Sequence, residues 1–171
     1  MFVSIFDQNP QTVENLGGKG FGLWSMAKDN LPVPPALVIP TNFCVEYMAN
    51  PTKVMKWVAE RLEEVDTFFI KQMGYVPLLS VRSGARVSMP GMMDTILNVG
   101  LHDSTLDLWT EKLGKECAED SYCRLIEMYG SVVENIDRSE FEEKTLAERL
   151  ELHEYFTNQK FPEPKAQVLG A

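Results

Sequence analysis

The sequence is poor in the residues and runs that mark several classes of protein. It contains three cysteines, Cys44, Cys117 and Cys123, an odd number without the spacing of a metal site, so a dense disulfide scaffold is excluded and reduced thiols are expected. Its apolar runs are far shorter than the roughly 20 residues of a membrane-spanning helix. The apolar start, residues 1–6, lacks the charged region of a signal peptide. These absences predict a cytoplasmic protein that has no membrane partner.

Positive charge is also scarce. The chain carries 16 lysines and arginines against 25 acidic residues, a net charge of −9, which argues against a general nucleic-acid-binding protein. The imbalance is local. Residues 1–100 hold 8 basic and 9 acidic residues, whereas residues 101–171 hold 8 and 16. The acidity therefore belongs to the C-terminal part, and an anion site in the first part remains open.

The pattern of apolar residues predicts an α+β fold. Strands are predicted over 2–6, 36–39, 78–82 and 95–99, and helices after the glycines of 17–22, over 41–47 with Thr41 as cap, over 54–69, and from 103 onward. We expect an α+β nucleotide-binding lobe over 1–100, an acidic helical subdomain over 101–160, and a C-terminal linker or the start of a further lobe over 161–171.

Several conspicuous residues fit structural roles. The tryptophans Trp24, Trp57 and Trp109 lie in helical apolar patterns, which favours core positions over stacking platforms. The glutamates between Glu140 and Glu154 do not gather at one ligand spacing, so they indicate a solvated helix face and no metal cluster.

Two segments carry candidate anion chemistry. The first, residues 16–20, reads LGGKG and departs from the strict P-loop form, so a glycine turn with a solvated Lys19 is the alternative. The second, residues 80–95, reads SVRSGARVSMPGMMDT and places two arginines, hydroxyl side chains and glycines beside a strand. Arginine binds phosphate oxygens bidentately, and glycine loops expose backbone N–H groups. The alternative is a structural loop whose arginines pair with acidic neighbours.

Through these segments the sequence resembles a known family. LGGKG, the following LPVPP and the run SVRSGARVSMPGMMDTILNVGL resemble the start of pyruvate phosphate dikinase, a nucleotide-binding region of ATP-grasp fold. The phosphoenolpyruvate synthases share the first elements more distantly. The resemblance continues through residues 120–137 and weakly through 161–171, so it spans nearly the whole chain. It implies the first lobe of an ATP-grasp-like domain followed by a small helical subdomain.

The resemblance also implies roles for particular residues. Lys19 and Arg82 correspond to the lysine and the first arginine that contact the nucleotide phosphates, and they are the catalytic candidates. The ATP-binding candidates further include Ser83 and Gly84 as donors, and Arg86. Asp94 and Thr95 lie in the matched run, where a role in loop architecture is as plausible as direct contact.

The same resemblance shows what this chain lacks. The family's acidic Mg²⁺ ligands come from a second lobe, and no carboxylate here matches them, so no metal ligand is predicted. The phosphoryl-accepting histidine and the pyruvate-binding barrel of the family have no counterpart either. The two histidines, His102 and His153, are predicted to be surface residues.

Three functions are compatible with the sequence. The first is an ATP-binding portion of a dikinase-like phosphotransferase that serves phosphoryl transfer to a histidine on another domain or chain. The second is a catalytically incomplete half-domain, an interaction or regulatory module that complements a separate second ATP-grasp lobe or interferes with a complete dikinase. The third is a structural unit whose loop has lost contact with nucleotide.

Overall fold

The computed structural model of the chain describes residues 2–83 and 95–171. These residues form two compact units, the first made of residues 2–76 with Ser83 and the second of residues 77–82 with 95–171. Both contain helices and one small antiparallel sheet, which confirms the α+β prediction. The predicted domain boundaries stay predictions. Among the described helices, none is long and apolar enough to cross a membrane.

The first unit contains two short strands and four helices. These are β1 (Val3–Ser4), α1 (Val13–Lys28), β2 (Leu37–Val38), α2 (Thr41–Ala49), α3 (Pro51–Ala59) and α4 (Leu62–Met73). Helix α1 begins before the glycines, whereas the sequence predicted that it follows them. Its N-cap is Thr12, whose hydroxyl accepts a hydrogen bond from the backbone N–H of Asn15. A strong cap thus starts the helix earlier than glycine propensity suggests.

The core of the first unit fixes α1 against the sheet. Val3 on β1 pairs with Val38 on β2, and both pack with Trp24 of α1. The indole N–H of Trp24 donates a hydrogen bond of 2.9 Å to the Asp7 carbonyl. A Cβ at Gly20 would lie 3.1 Å from both methyl groups of Val38, so a glycine here permits the close approach of helix and strand.

The single helix predicted over residues 54–69 is two helices in the structure. Asn50 caps α3 by accepting a hydrogen bond from the N–H of Lys53. At the other end Arg61, whose backbone is not helical, donates a hydrogen bond from its guanidinium to the Trp57 carbonyl. A side-chain donor thus satisfies a carbonyl at the end of α3, and the chain changes direction before α4.

The second unit places one hairpin-like sheet against helices. Its elements are β3 (Leu79–Arg82), β4 (Thr95–Val99), α5 (Leu106–Leu113), α6 (Lys115–Val133), a 3-10 helix (Arg138–Phe141), α7 (Leu146–Thr157) and α8 (Pro164–Gly170). β3 and β4 are antiparallel, with Val81 opposite Ile96 and an irregularity between Leu79 and Val81. The core lies around α6. Its members include Ile96, Val99, Leu101, Trp109, Tyr122, Leu125, Ile126, Phe141 and Phe161.

One carboxylate joins three elements of the second unit. Glu127 on α6 accepts a hydrogen bond of 2.9 Å from Arg149 on α7 and is hydrogen-bonded to Arg138 of the 3-10 helix. Burial raises the pKa of the Glu127 carboxyl, but the hydrogen bonds from the two guanidinium groups outweigh it and hold the pKa below its ordinary value. The ionised form is therefore favoured by folding.

We expect the Glu127 contribution to stability to disappear in acid. A carboxyl whose pKa is lower in the folded state stabilises the fold above its unfolded pKa, about 4.3, and this stabilisation is lost as pH falls through the folded value. Glu127→Gln should lower the free energy of unfolding near neutral pH, and its difference from the wild type should narrow below about pH 4. Urea denaturation across pH measures this. Glu119→Gln, at an exposed pair with Lys115, is the control, and a pH-independent difference would contradict the assignment.

Candidate functional site

Lys19 lies at a break in the first helix. Gly17 has φ 69° and ψ 169°, a conformation that side-chain-bearing residues rarely adopt, and it interrupts the helical geometry of α1. The helix that resumes after it presents first-turn N–H groups, which lack regular intrahelical acceptors. Lys19 follows in this turn and is exposed. The break therefore places Lys19 in the same turn as these backbone donors.

The ammonium group of Lys19 is directed to the second predicted segment. Its Nζ donates a hydrogen bond of 2.9 Å to the backbone carbonyl of Ser83, 64 residues further along the chain. An ammonium group carries three N–H donors, so this bond leaves further donor capacity. The structure thus brings together Lys19 and Ser83, which the sequence predicted for one site.

Arg82 and Thr95 form a second pair of predicted residues. They are backbone partners at the end of the β3–β4 ladder, so their Cα atoms face each other across the sheet. Arg82 is exposed and Thr95 is half-buried. Ser83 follows Arg82 directly in the chain. The remaining predicted residues, Gly84, Arg86 and Asp94, lie outside the described residues.

Two open grooves of the described surface lie away from these residues. One, of about 570 Å³, is lined at the start of α1 and along α2 by residues that include Glu14 and Glu46. The other, of about 620 Å³, surrounds the start of α6 and includes Glu116 and Asp120. Neither contains a described residue of the predicted site. Their carboxylates also make both grooves unfavourable for phosphate.

The described residues offer no metal centre. Among residues 2–83 and 95–171, no group of three or more His, Cys, Asp or Glu side chains is arranged to hold a metal ion. The cysteines, all within this part of the chain, are free thiols.

The histidines differ from the sequence prediction. His153 was predicted to lie on the surface, but only 1% of it is exposed, so that prediction is wrong. Its ring packs against Phe161, with ring centres 5.1 Å apart, and its Nε2 lies 2.7 Å from a Glu134 carboxylate oxygen. Residues outside α7 thus create its environment. His102 is largely covered, and its Nδ1 lies 2.9 Å from the Ser104 hydroxyl.

The sequence did not single out Gly17 as the structural basis of the lysine site. It predicted a helix that follows the glycines of 17–22 as a group, whereas only Gly17 among them has a positive φ. The available signal was the capping residue Thr12 ahead of the glycine pair. A helix that begins after this cap contains the glycines, and glycine is the residue at which a helix breaks most easily.

No family model matches the chain. Comparison with known proteins finds relatives that all carry the name pyruvate, phosphate dikinase. The chloroplastic pyruvate, phosphate dikinase of Mesembryanthemum crystallinum is 46% identical over 136 residues, 75% of this chain and 14% of that protein. The enzymes named pyruvate, phosphate dikinase from Entamoeba histolytica and Rhizobium meliloti are 44% and 43% identical over 77% and 84% of this chain. The chain spans 14–17% of the length of these relatives.

Proposed function

Because the chain is homologous to one segment of pyruvate, phosphate dikinase, we propose that it binds the phosphates of ATP in support of phosphoryl transfer to a histidine on another domain or chain. In this proposal the fold is the first lobe of an ATP-grasp-like domain with a helical subdomain, and the activity is that of a phosphotransferase. The observation that carries the proposal is the hydrogen bond from Lys19 to the Ser83 carbonyl.

The Lys19 contact supports the proposal because it orders a long, mobile side chain at the start of a helical turn. A lysine held in this way loses less rotamer entropy when an anion arrives. Its charge adds to the positive end of the helix dipole after Gly17, and both favour phosphate oxygens. The ammonium group would stabilise charge that develops on the transferred phosphoryl group.

Arg82 supplies the second proposed cation. Its guanidinium is exposed at the end of β3, and a planar guanidinium binds two phosphate oxygens at once. Ser83 and Thr95, its neighbours along and across the strand, would offer further polar groups. The near-neutral charge of residues 1–100 leaves this region open to an anion, unlike the acidic remainder.

The histidine contacts support placing the phosphoryl acceptor elsewhere. His153 is buried against Phe161, and the Nδ1 atom of His102 is occupied by Ser104. Neither ring is presented openly to a nucleotide. Mg²⁺ is expected for the reaction, and its ligands would come from outside the described residues.

We expect Lys19→Ala and Arg82→Ala each to weaken ATP binding by at least about tenfold, since a charge-assisted hydrogen bond contributes about 1.5–3 kcal/mol. Isothermal titration calorimetry with ATP, with and without Mg²⁺, measures the dissociation constants. Lys71→Ala on α4 and Arg124→Ala on α6 remove the same side chains from exposed positions and should leave binding unchanged. If all five proteins bind ATP equally, or none binds at saturating ATP, the assigned site is wrong.

A further inference from the structure

Helix α7 exposes two aromatic side chains. Tyr155 is 78% exposed and Phe156 is 46% exposed, and their ring centres lie 5.4 Å apart in an edge-to-face arrangement. Two tyrosines of the same unit, Tyr122 and Tyr129, are buried. Tyr155 and Phe156 thus form an adjoining apolar patch on the outer side of the helix.

Carboxylates lie on the side of the helix that carries Tyr155. Glu148, Glu151 and Glu154 are exposed and follow each other at three-residue spacing, and Tyr155 continues the same side of the helix one turn after Glu151. We call Glu148, Glu151, Glu154, Tyr155 and Phe156 the outer face of α7.

The negative charge of the outer face is not neutralised by its own helix. Arg149 points away, since its guanidinium is bound to Glu127 and to the carbonyls of Cys123 and Lys144. Glu151 forms no ion pair with any described residue, and the same holds for Glu154. Hydrogen bonds from Thr145 lower the pKa of Glu148, so this carboxylate is also ionised.

This arrangement has a cost for the isolated chain. Like charges three residues apart on a helix destabilise it by a few tenths of a kcal/mol per pair, and the exposed part of each aromatic ring gains nothing from burial. A cationic partner would relieve the repulsion and cover the rings. Arginine suits both, because it pairs with carboxylates and stacks on aromatic faces.

We propose that the outer face of α7 docks a basic, arginine-containing protein segment, with Tyr155 and Phe156 covered by the guanidinium groups and Glu151 and Glu154 paired with them. Nucleic acid and anionic membranes are repelled by the same carboxylates. The proposal concerns the second unit alone and stands independently of the nucleotide site.

A capped hexa-arginine peptide is the probe, titrated into the full chain and followed by fluorescence anisotropy and by backbone NMR shifts. The double variant Tyr155→Ala/Phe156→Ala should weaken binding by about fivefold or more, the equivalent of one cation–π contact. Tyr47→Ala, at an exposed position on α2, is the aromatic control and should have no effect.

Two matched double variants test whether the net charge of the chain alone explains the binding of hexa-arginine. Glu151→Gln/Glu154→Gln should weaken hexa-arginine binding severalfold more than Glu142→Gln/Glu143→Gln, which removes the same charge from exposed positions before the helix. Equal weakening by the two pairs, or NMR shifts centred away from α7, would overturn the proposal. So would a dimer of the unliganded chain that Tyr155→Ala abolishes, because a second copy would then cover the face.

Discussion

Replacing Phe141 with alanine should lower the free energy of unfolding of the second unit by about 3–5 kcal/mol, the usual range for removing a buried phenylalanine. Phe141 ends the 3-10 helix and is fully buried. Its ring lies so close to Gly130 on α6 that a Cβ at Gly130 would be 2.7 Å from the ring carbon Cζ. The ring therefore fills a space that only a glycine leaves open, and its loss creates a cavity.

Urea denaturation, combined with hydrogen exchange of α6 amides, measures this effect in the relevant unit. Phe156→Ala removes the same side chain from an exposed position and should change the free energy of unfolding by less than about 0.5 kcal/mol.

A double-mutant cycle with Gly130→Ala sharpens the test. Gly130→Ala alone should destabilise by about 1–3 kcal/mol through overpacking. The double variant Gly130→Ala/Phe141→Ala should lose less free energy of unfolding than the sum of the two single losses, because the new methyl group no longer contacts the ring. Additive losses would show that the two residues do not share this space.

The sequence predicted elements best where local signals agree with tertiary packing. β4 was predicted over 95–99 and has these bounds in the structure, because Ile96 and Val99 are both buried and favour extended backbone. The exposure of the glutamates between Glu140 and Glu154 is also confirmed. Among the tryptophans, Trp24 and Trp109 are core residues, and Trp57 is half-buried beside Phe43.

Predictions failed where distant contacts decide the outcome. The burial of His153 depends on Glu134 and Phe161, which approach from other segments. The apolar periodicity of α7 does not indicate these contacts with Glu134 and Phe161. The hydrogen bond between Lys19 and Ser83 joins segments 64 residues apart, so no local pattern predicts this contact. The resemblance to one family assigned both residues to one site. It did not predict the break at Gly17 that precedes the lysine, because the break is a feature of the backbone geometry.

Residues 161–171 contain an element that gives little signal in the sequence. Their two prolines favoured a C-terminal linker or the start of a further lobe, and this domain assignment stays a prediction. In the structure Phe161 is buried against Tyr122 and Tyr129, and α8 follows with Gln167 fully buried. A buried glutamine gives no hydrophobic signal, since its place is determined by hydrogen bonds.

We expect Gln167→Leu to lower the free energy of unfolding of the second unit by about 2–4 kcal/mol. The Gln167 side-chain oxygen accepts a hydrogen bond of 2.9 Å from the Gly100 N–H, and its amide nitrogen donates bonds of 2.8 Å to the carbonyls of Leu101 and Pro162. Leucine has a similar volume but satisfies none of these groups, and a buried backbone group without a partner costs about 1–3 kcal/mol.

Hydrogen exchange of the Gly100 amide and urea denaturation report on this loss. Gln159→Leu, at an exposed position before α8, is the control and should be neutral within about 0.5 kcal/mol. Gln167→Glu separates the two kinds of bond, because an ionised carboxylate accepts from Gly100 but donates to neither carbonyl. Its destabilisation should shrink as pH falls, since the protonated acid recovers one donor. If Gln167→Leu is as neutral as Gln159→Leu, the hydrogen bonds of Gln167 to Gly100 and Leu101 do not hold α8 to the loop after β4.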